Sequence, residues 1–84
     1  MKKPRPASRG RQPRSETTGR ARLARNLRRI RLARGLSQEG LAEDAGFHRT
    51  FVSQIERERN NISIDNIGRL AAALGVDLID LLER

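Results

Sequence analysis

Ser37-Gln38-Glu39-Gly40-Leu41-Ala42-Glu43-Asp44-Ala45-Gly46-Phe47-His48-Arg49-Thr50-Phe51-Val52-Ser53-Gln54-Ile55-Glu56-Arg57 decides how this 84-residue chain folds. Ser37 is a good N-cap, because its hydroxyl can accept from a backbone N–H of the first turn. Leu41 and Ala45 follow at i, i+4 spacing, with Ala42 beside them, so one face of a short helix is apolar. Gly40 inside that helix costs about 1 kcal/mol against alanine, so the helix must lean on tertiary packing. Gly46 ends it and can take the positive φ a tight turn needs. A second short helix runs from about Arg49 to Arg57, with His48 near its N-cap. Val52 and Ile55 bury one of its faces and leave Arg49, Thr50, Ser53, Gln54 and Arg57 on the remaining surface.

The flanks extend this pattern. Upstream, Leu23, Leu27 and Ile30 recur at i, i+4, i+7 between Ala21 and Arg34, with arginines on the other faces, and Gly35 stops this helix as a C′ residue. Downstream, Glu58-Arg59-Asn60-Asn61 reads as a loop. Ser63 then caps a helix carrying Ile64, Ile67, Leu70, Ala71 and Leu74, which Gly75 terminates. A last short helix is expected from about Leu78 to Leu82. No strand pattern exceeds three residues. The result is an all-α fold over residues 20–84. Residues 1–19 hold all three prolines and almost no apolar side chains, too little to offset ordering entropy, so they are expected to form a disordered basic arm.

Hydrophobic residues make up 36% of the chain and the only aromatic side chains are Phe47 and Phe51. The core must therefore be aliphatic. The formal charge is +8, unevenly placed: residues 1–20 carry seven Lys/Arg against Glu16 alone, residues 21–34 six arginines and no acid, residues 35–84 five arginines against nine acids. Such asymmetry points to a polyanion met by the N-terminal half, or to a tail that simply keeps the protein soluble. Cysteine is absent, which excludes disulfides and thiolate metal sites. No apolar run approaches the ~20 residues of a membrane span. Met1-Lys2-Lys3 lacks the apolar segment that would make it a signal peptide, and the expected location is cytoplasmic. His48 is the single histidine and has no second ligand at metal spacing. With no clustered acids on an apolar pocket, no catalytic residue, metal or cofactor is expected.

Two short helices joined at Gly46 have the mechanics of a helix-turn-helix: Ala42 is small enough for close approach, and the exposed face of the second helix can enter a DNA major groove. At this point the stretch from Gly35 to Gly46, then Val52-Ser53-Gln54-Ile55-Glu56-Arg57, then Asn61-Ile62-Ser63-Ile64-Asp65 leading to Leu70-Ala71 and Leu74-Gly75-Val76, resembles the Cro and phage-repressor (XRE-like) helix-turn-helix regulators over about residues 22–82. His48 to Ser53 and Arg59 to Ser63 also look like restriction–modification controller proteins, and like many stand-alone bacterial regulators. The resemblance implies a five-helix, lambda-repressor-like DNA-binding domain. It implies a regulator that binds an operator as a dimer with a recognition helix at about 48–57 in the major groove. The family's reading positions fall on His48, Arg49, Thr50, Ser53 and Gln54, its phosphate anchor on Gln38, and a structural salt bridge on Arg31 and Glu56. Glu58 departs from the pattern, standing where glycine is common.

The chemistry of each position narrows its role. Arg49 can donate two parallel bonds to guanine O6 and N7, and Gln54 can pair bidentately with adenine. Thr50 suits a thymine methyl or a phosphate, and Ser53 a base edge. His48 suits a cap or a phosphate. Arg57, Arg59, Asn60 and Asn61 suit phosphates, which position without reading sequence, although Asn is also favoured in ordinary turns. Phe51 is expected against the loop before the fourth helix. In the arm, Arg9-Gly10-Arg11 resembles an AT-hook, so the arm either follows a minor groove or serves as a solubilising tail. Val76, Leu78, Ile79, Leu81 and Leu82 exceed one core-facing stripe and are expected to include a homodimer surface. Double-stranded DNA is the expected partner, with no membrane and no small-molecule effector. An antitoxin that also binds its own promoter is the alternative from another class, although the arm lacks the apolar anchors for a toxin.

Overall fold

The computed structural model describes residues 18–84, and the expected arm falls outside them except for its last two positions. Thr18 is the N-cap of the first helix, its hydroxyl accepting from the Ala21 N–H. The described residues form α1 (Gly19–Ala33), α2 (Gln38–Ala45), α3 (Arg49–Glu56), α4 (Ile64–Leu74) and a 3-10 turn (Leu78–Leu81). The helix expected to start at Ala21 thus begins two residues earlier.

Local chemistry sets most of the boundaries. Ser37 and Ser63 accept from the N–H groups of Gly40 and Asn66 and cap α2 and α4. Gly40 is therefore the third residue of α2 and not its middle. A Cβ there would stand 3.2 Å from the capping hydroxyl of Ser37, so a small residue suits the cap. Gly46 and Gly75 close α2 and α4 at φ +79 and +70.

Below about 12 residues an isolated helix is marginal in water, so α2 and α3, at eight residues each, hold through packing. Leu27, Leu41, Val52, Leu70, Leu74 and Leu81 are essentially inaccessible and form one aliphatic core with Ile30, Ile55 and Ile67. Each buried leucine contributes about 2 kcal/mol. Helix α2 packs on α3 and α4, α1 packs on α3, and the 3-10 turn packs on both α1 and α4.

Two expectations fail here. The last element is a 3-10 turn and not a fifth α-helix. Asp77 and Asp80 cap each other's backbone N–H groups and tighten it, and the three-residue period sends Leu78 and Leu81 to the same side. Leu81 is fully buried in the core and is not available as a dimer surface. Val76, Leu78 and Leu82 are half-buried against that core, while Ile79 is exposed, as are Ile64 and Leu32. The Phe51 ring is partly buried against the core and packs on Phe47 with centroids 4.7 Å apart.

The structure shows why glycine is common at the position of Glu58. This residue sits at φ +61, in the left-handed region that follows the helix end at Arg57, with the Arg59 N–H reaching back to the Gln54 carbonyl at 2.8 Å. A side chain in that conformation costs on the order of 1 kcal/mol. Set against the unfolded-state freedom that glycine adds, Glu58→Gly is expected to raise the melting temperature by about 3 °C, measured on DNA-free protein. An unchanged or lower value would show that the contacts of the glutamate side chain and the unfolded-state freedom of glycine together at least offset the backbone cost.

Candidate nucleic-acid interface

Thr50, Ser53, Gln54 and Arg57 recur at i, i+3, i+4, i+7 along α3 and its C-cap, opposite the buried Val52 and Ile55. Gln54 and Arg57 are exposed and Ser53 is half-buried. Arg49, Thr50, Ser53 and Arg57 line one open concavity of about 510 Å³ with Ser37, Gln38 and Glu39 from the start of α2 and the flank of Arg31. The concavity brings together three α3 residues, the C-cap Arg57 and Gln38. His48, at the N-cap of α3, makes no side-chain cap bond, and Gln54, Arg59, Asn60 and Asn61 lie toward the far end of α3 and its loop.

The rear of the concavity is a polar clip across three helices. Arg31 Nε and Nη2 donate to the two Glu56 carboxylate oxygens at 2.7 and 2.9 Å, a bidentate pair. Both side chains are more than nine-tenths buried. Arg31 Nη1 also donates to the Leu36 carbonyl, and Gln38 Nε2 donates to Glu56 Oε1 at 3.1 Å. The hydrogen bond to Glu56 raises the Arg31 pKa above its usual value, burial opposing and charge attraction adding, so the guanidinium stays charged wherever the protein is folded. Gln38 is thereby braced against α3, with its second amide hydrogen left for another acceptor.

For several contacts the partner had no local signal in the sequence. Glu39 faces Arg49 at 4.0 Å with both side chains exposed. The pair meets across the turn between α2 and α3, which no spacing rule anticipates. Arg69 on α4 donates to the Ala45 and Gly46 carbonyls at 2.9 and 3.1 Å and lies over the Phe47 ring; it holds the turn from behind. Arg34 donates to the Leu74 carbonyl at the end of α4. Asn26 is buried and donates to the Leu81 and Glu83 carbonyls. Its position on the apolar stripe of Leu23, Leu27 and Ile30 was a legible sign, since a polar residue facing a core needs a partner. Among the six arginines of residues 21–34, Arg25, Arg29, Arg31 and Arg34 all hydrogen-bond within the domain. Fewer of them are therefore committed to a polyanion than their number suggests.

In the loop, Asn60 donates to Gln54 Oε1 at 2.7 Å, and Asn61 accepts from Arg20 of α1. The Arg9-Gly10-Arg11 stretch lies outside the described residues. Among the described residues no three His, Cys, Asp or Glu side chains gather as metal ligands, and no helix is long and apolar enough to cross a membrane.

A helix-turn-helix family model matches residues 27–81. Over 47 residues the chain is 51% identical to the control protein C.BamHI of Bacillus amyloliquefaciens, covering 56% of this chain and 58% of that protein. The chain spans about half the length of the curated relatives it matches. The hypothetical transcription factor NHTF from Neisseria superposes with a TM-score of 0.78 at 46% identity, covering 88% of this chain and 84% of that one. The restriction-modification controller protein C.AhdI from Aeromonas hydrophila superposes with a TM-score of 0.72 at 40% identity, covering 74% and 94%.

Proposed function

The chain belongs to the helix-turn-helix family of DNA-binding transcriptional regulators, and from that premise we propose that it occupies an operator as a homodimer with α3 in the major groove. The observation that carries this reading is the concavity itself. It sets Arg49, Thr50 and Ser53 beside Gln38, which the clip braces. Arg49 reads guanine, Thr50, Ser53 and Gln54 touch adjoining base edges, and Gln38, His48, Arg57 and Arg59 meet phosphates. The dimer uses exposed Ile79 with the half-buried Val76, Leu78 and Leu82 around it, and Leu81 stays in the core. Two such copies would set their recognition helices about 34 Å apart, one turn of DNA.

Selection of bound sequences from a random DNA pool tests this. Enrichment of a palindromic site with half-sites about 10 base pairs apart is the expected result, alongside a dimer mass by light scattering. A pool without enrichment, or a monomer at high micromolar concentration, would overturn it. Arg49→Ala should then lower affinity for the selected site by about tenfold and relax one base position. A loss spread evenly over all sequences, with a salt slope reduced by about one, would instead make Arg49 a phosphate contact. The likeness to control proteins supports a narrower reading, a controller of restriction–modification genes. That reading requires the selected site to lie upstream of an endonuclease or controller gene in the source genome.

A further inference from the structure

Gln54 is exposed on α3, yet its amide is tied at one end. Asn60 Nδ2 donates to Gln54 Oε1 at 2.7 Å. The loop that carries Asn60 is itself fixed to the end of α3. The Glu58 N–H bonds to the Ile55 carbonyl at 3.0 Å and the Arg59 N–H to the Gln54 carbonyl at 2.8 Å, with Glu58 in the left-handed region. Asn60 is half-buried, whereas Gln54 is exposed. A glutamine amide has an acceptor end and a donor end, and whichever end faces a base edge decides which base it suits.

We propose that Asn60 is a specificity-positioning residue that holds Gln54 with Oε1 toward the loop and Nε2 toward the groove, so that Gln54 works as a donor. A donor-only head suits guanine, whose major-groove edge offers the two acceptors N7 and O6, over adenine, which also presents an N6 donor. This inference rests on Gln54 being a base contact, and it assigns to Asn60 a task other than phosphate binding. An aspartate at position 60 can only accept. It would draw Nε2 to itself and turn Oε1 outward, toward bases that present a donor, cytosine N4 or adenine N6.

The test compares wild type, Gln54→Ala, Asn60→Ala and Asn60→Asp on the selected operator and on its four-base substitutions, with a melting curve for each protein. Gln54→Ala identifies the position it reads by abolishing preference there. At that position the wild type should prefer guanine by about tenfold. Asn60→Ala should reduce the preference to within about threefold, and Asn60→Asp should move it to cytosine or adenine. The added charge of aspartate weakens all sequences alike, so the ratio between bases is the readout. If both Asn60 variants keep the wild-type preference while Gln54→Ala loses it, the positioning role is refuted and Gln54 still reads. If Gln54→Ala changes preference nowhere, the base-contact reading fails, and the inference with it. Should the aspartate variant melt early, the alanine variant alone decides: a retained guanine preference refutes the proposal.

Discussion

Glu56→Ala is expected to lower stability by about 3 kcal/mol, a fall in melting temperature on the order of 15 °C, whereas Glu43→Ala should change it by no more than about 0.5 kcal/mol. Both remove one carboxylate. Glu43 is exposed on α2, while Glu56 is 6% accessible and is the bidentate partner of an Arg31 that is itself 9% accessible. The cost comes less from the lost attraction than from the guanidinium left behind, buried with one remaining bond to the Leu36 carbonyl. It falls at the low end for such pairs because Arg31 borders the open concavity. Replacing both partners, as in Arg31→Met with Glu56→Leu, should recover most of the loss, since no charge is then stranded. Thermal melts of the four proteins followed by far-UV circular dichroism decide the matter. Equal melting temperatures for Glu56→Ala and Glu43→Ala would refute the clip as a stabilising element.

Gly46→Ala is expected to cost about 2 kcal/mol. Two causes add. The residue sits at φ +79, where a Cβ costs roughly 1–2 kcal/mol. That Cβ would also stand 2.7 Å from Arg69 Nη2. The guanidinium end of an arginine can move, but here it holds the Ala45 and Gly46 carbonyls, so moving it sacrifices those bonds. A double-mutant cycle separates the causes. In an Arg69→Ala background the clash is gone and only the backbone cost remains, giving a coupling of about 1 kcal/mol. Strict additivity would show that Arg69 yields without loss.

The helix ends were legible because their signals are local. Ser37 and Ser63 announce caps, and Gly46 and Gly75 announce left-handed exits, each within a few residues of the bond it makes. The polar face of α3 was legible for the same reason, since Val52 and Ile55 fix which side faces inward. What escaped reading depends on distance or on identity. Arg69 reaches its carbonyls across more than twenty residues and Asn26 across more than fifty, and no spacing rule spans such separations. Glu58 adopts a conformation its side chain does not advertise. The last helix was misjudged for a subtler reason. Leu78, Leu81 and Leu82 fit an α-helical period, and only the mutual capping of Asp77 and Asp80 over four residues selects the tighter turn. At the candidate interface, the face of α3 followed from the sequence, but its closeness to Glu39 and the hydrogen bond from Asn60 to Gln54 required the fold.

The aromatic inventory has a practical consequence. The chain has no tryptophan and no tyrosine, so intrinsic fluorescence and absorbance at the usual wavelengths are almost silent. Its two rings, Phe47 and Phe51, are not scattered: they pack on each other at the turn between α2 and α3, with the Arg69 guanidinium over one of them. Near-ultraviolet dichroism of this protein is therefore a signal from a single address. Far-ultraviolet dichroism averages all the helices, whereas the weak phenylalanine bands report only whether the corner that aims α3 is intact. The two spectra recorded on one sample distinguish a loosened corner from a melted domain, without a label or an added chromophore.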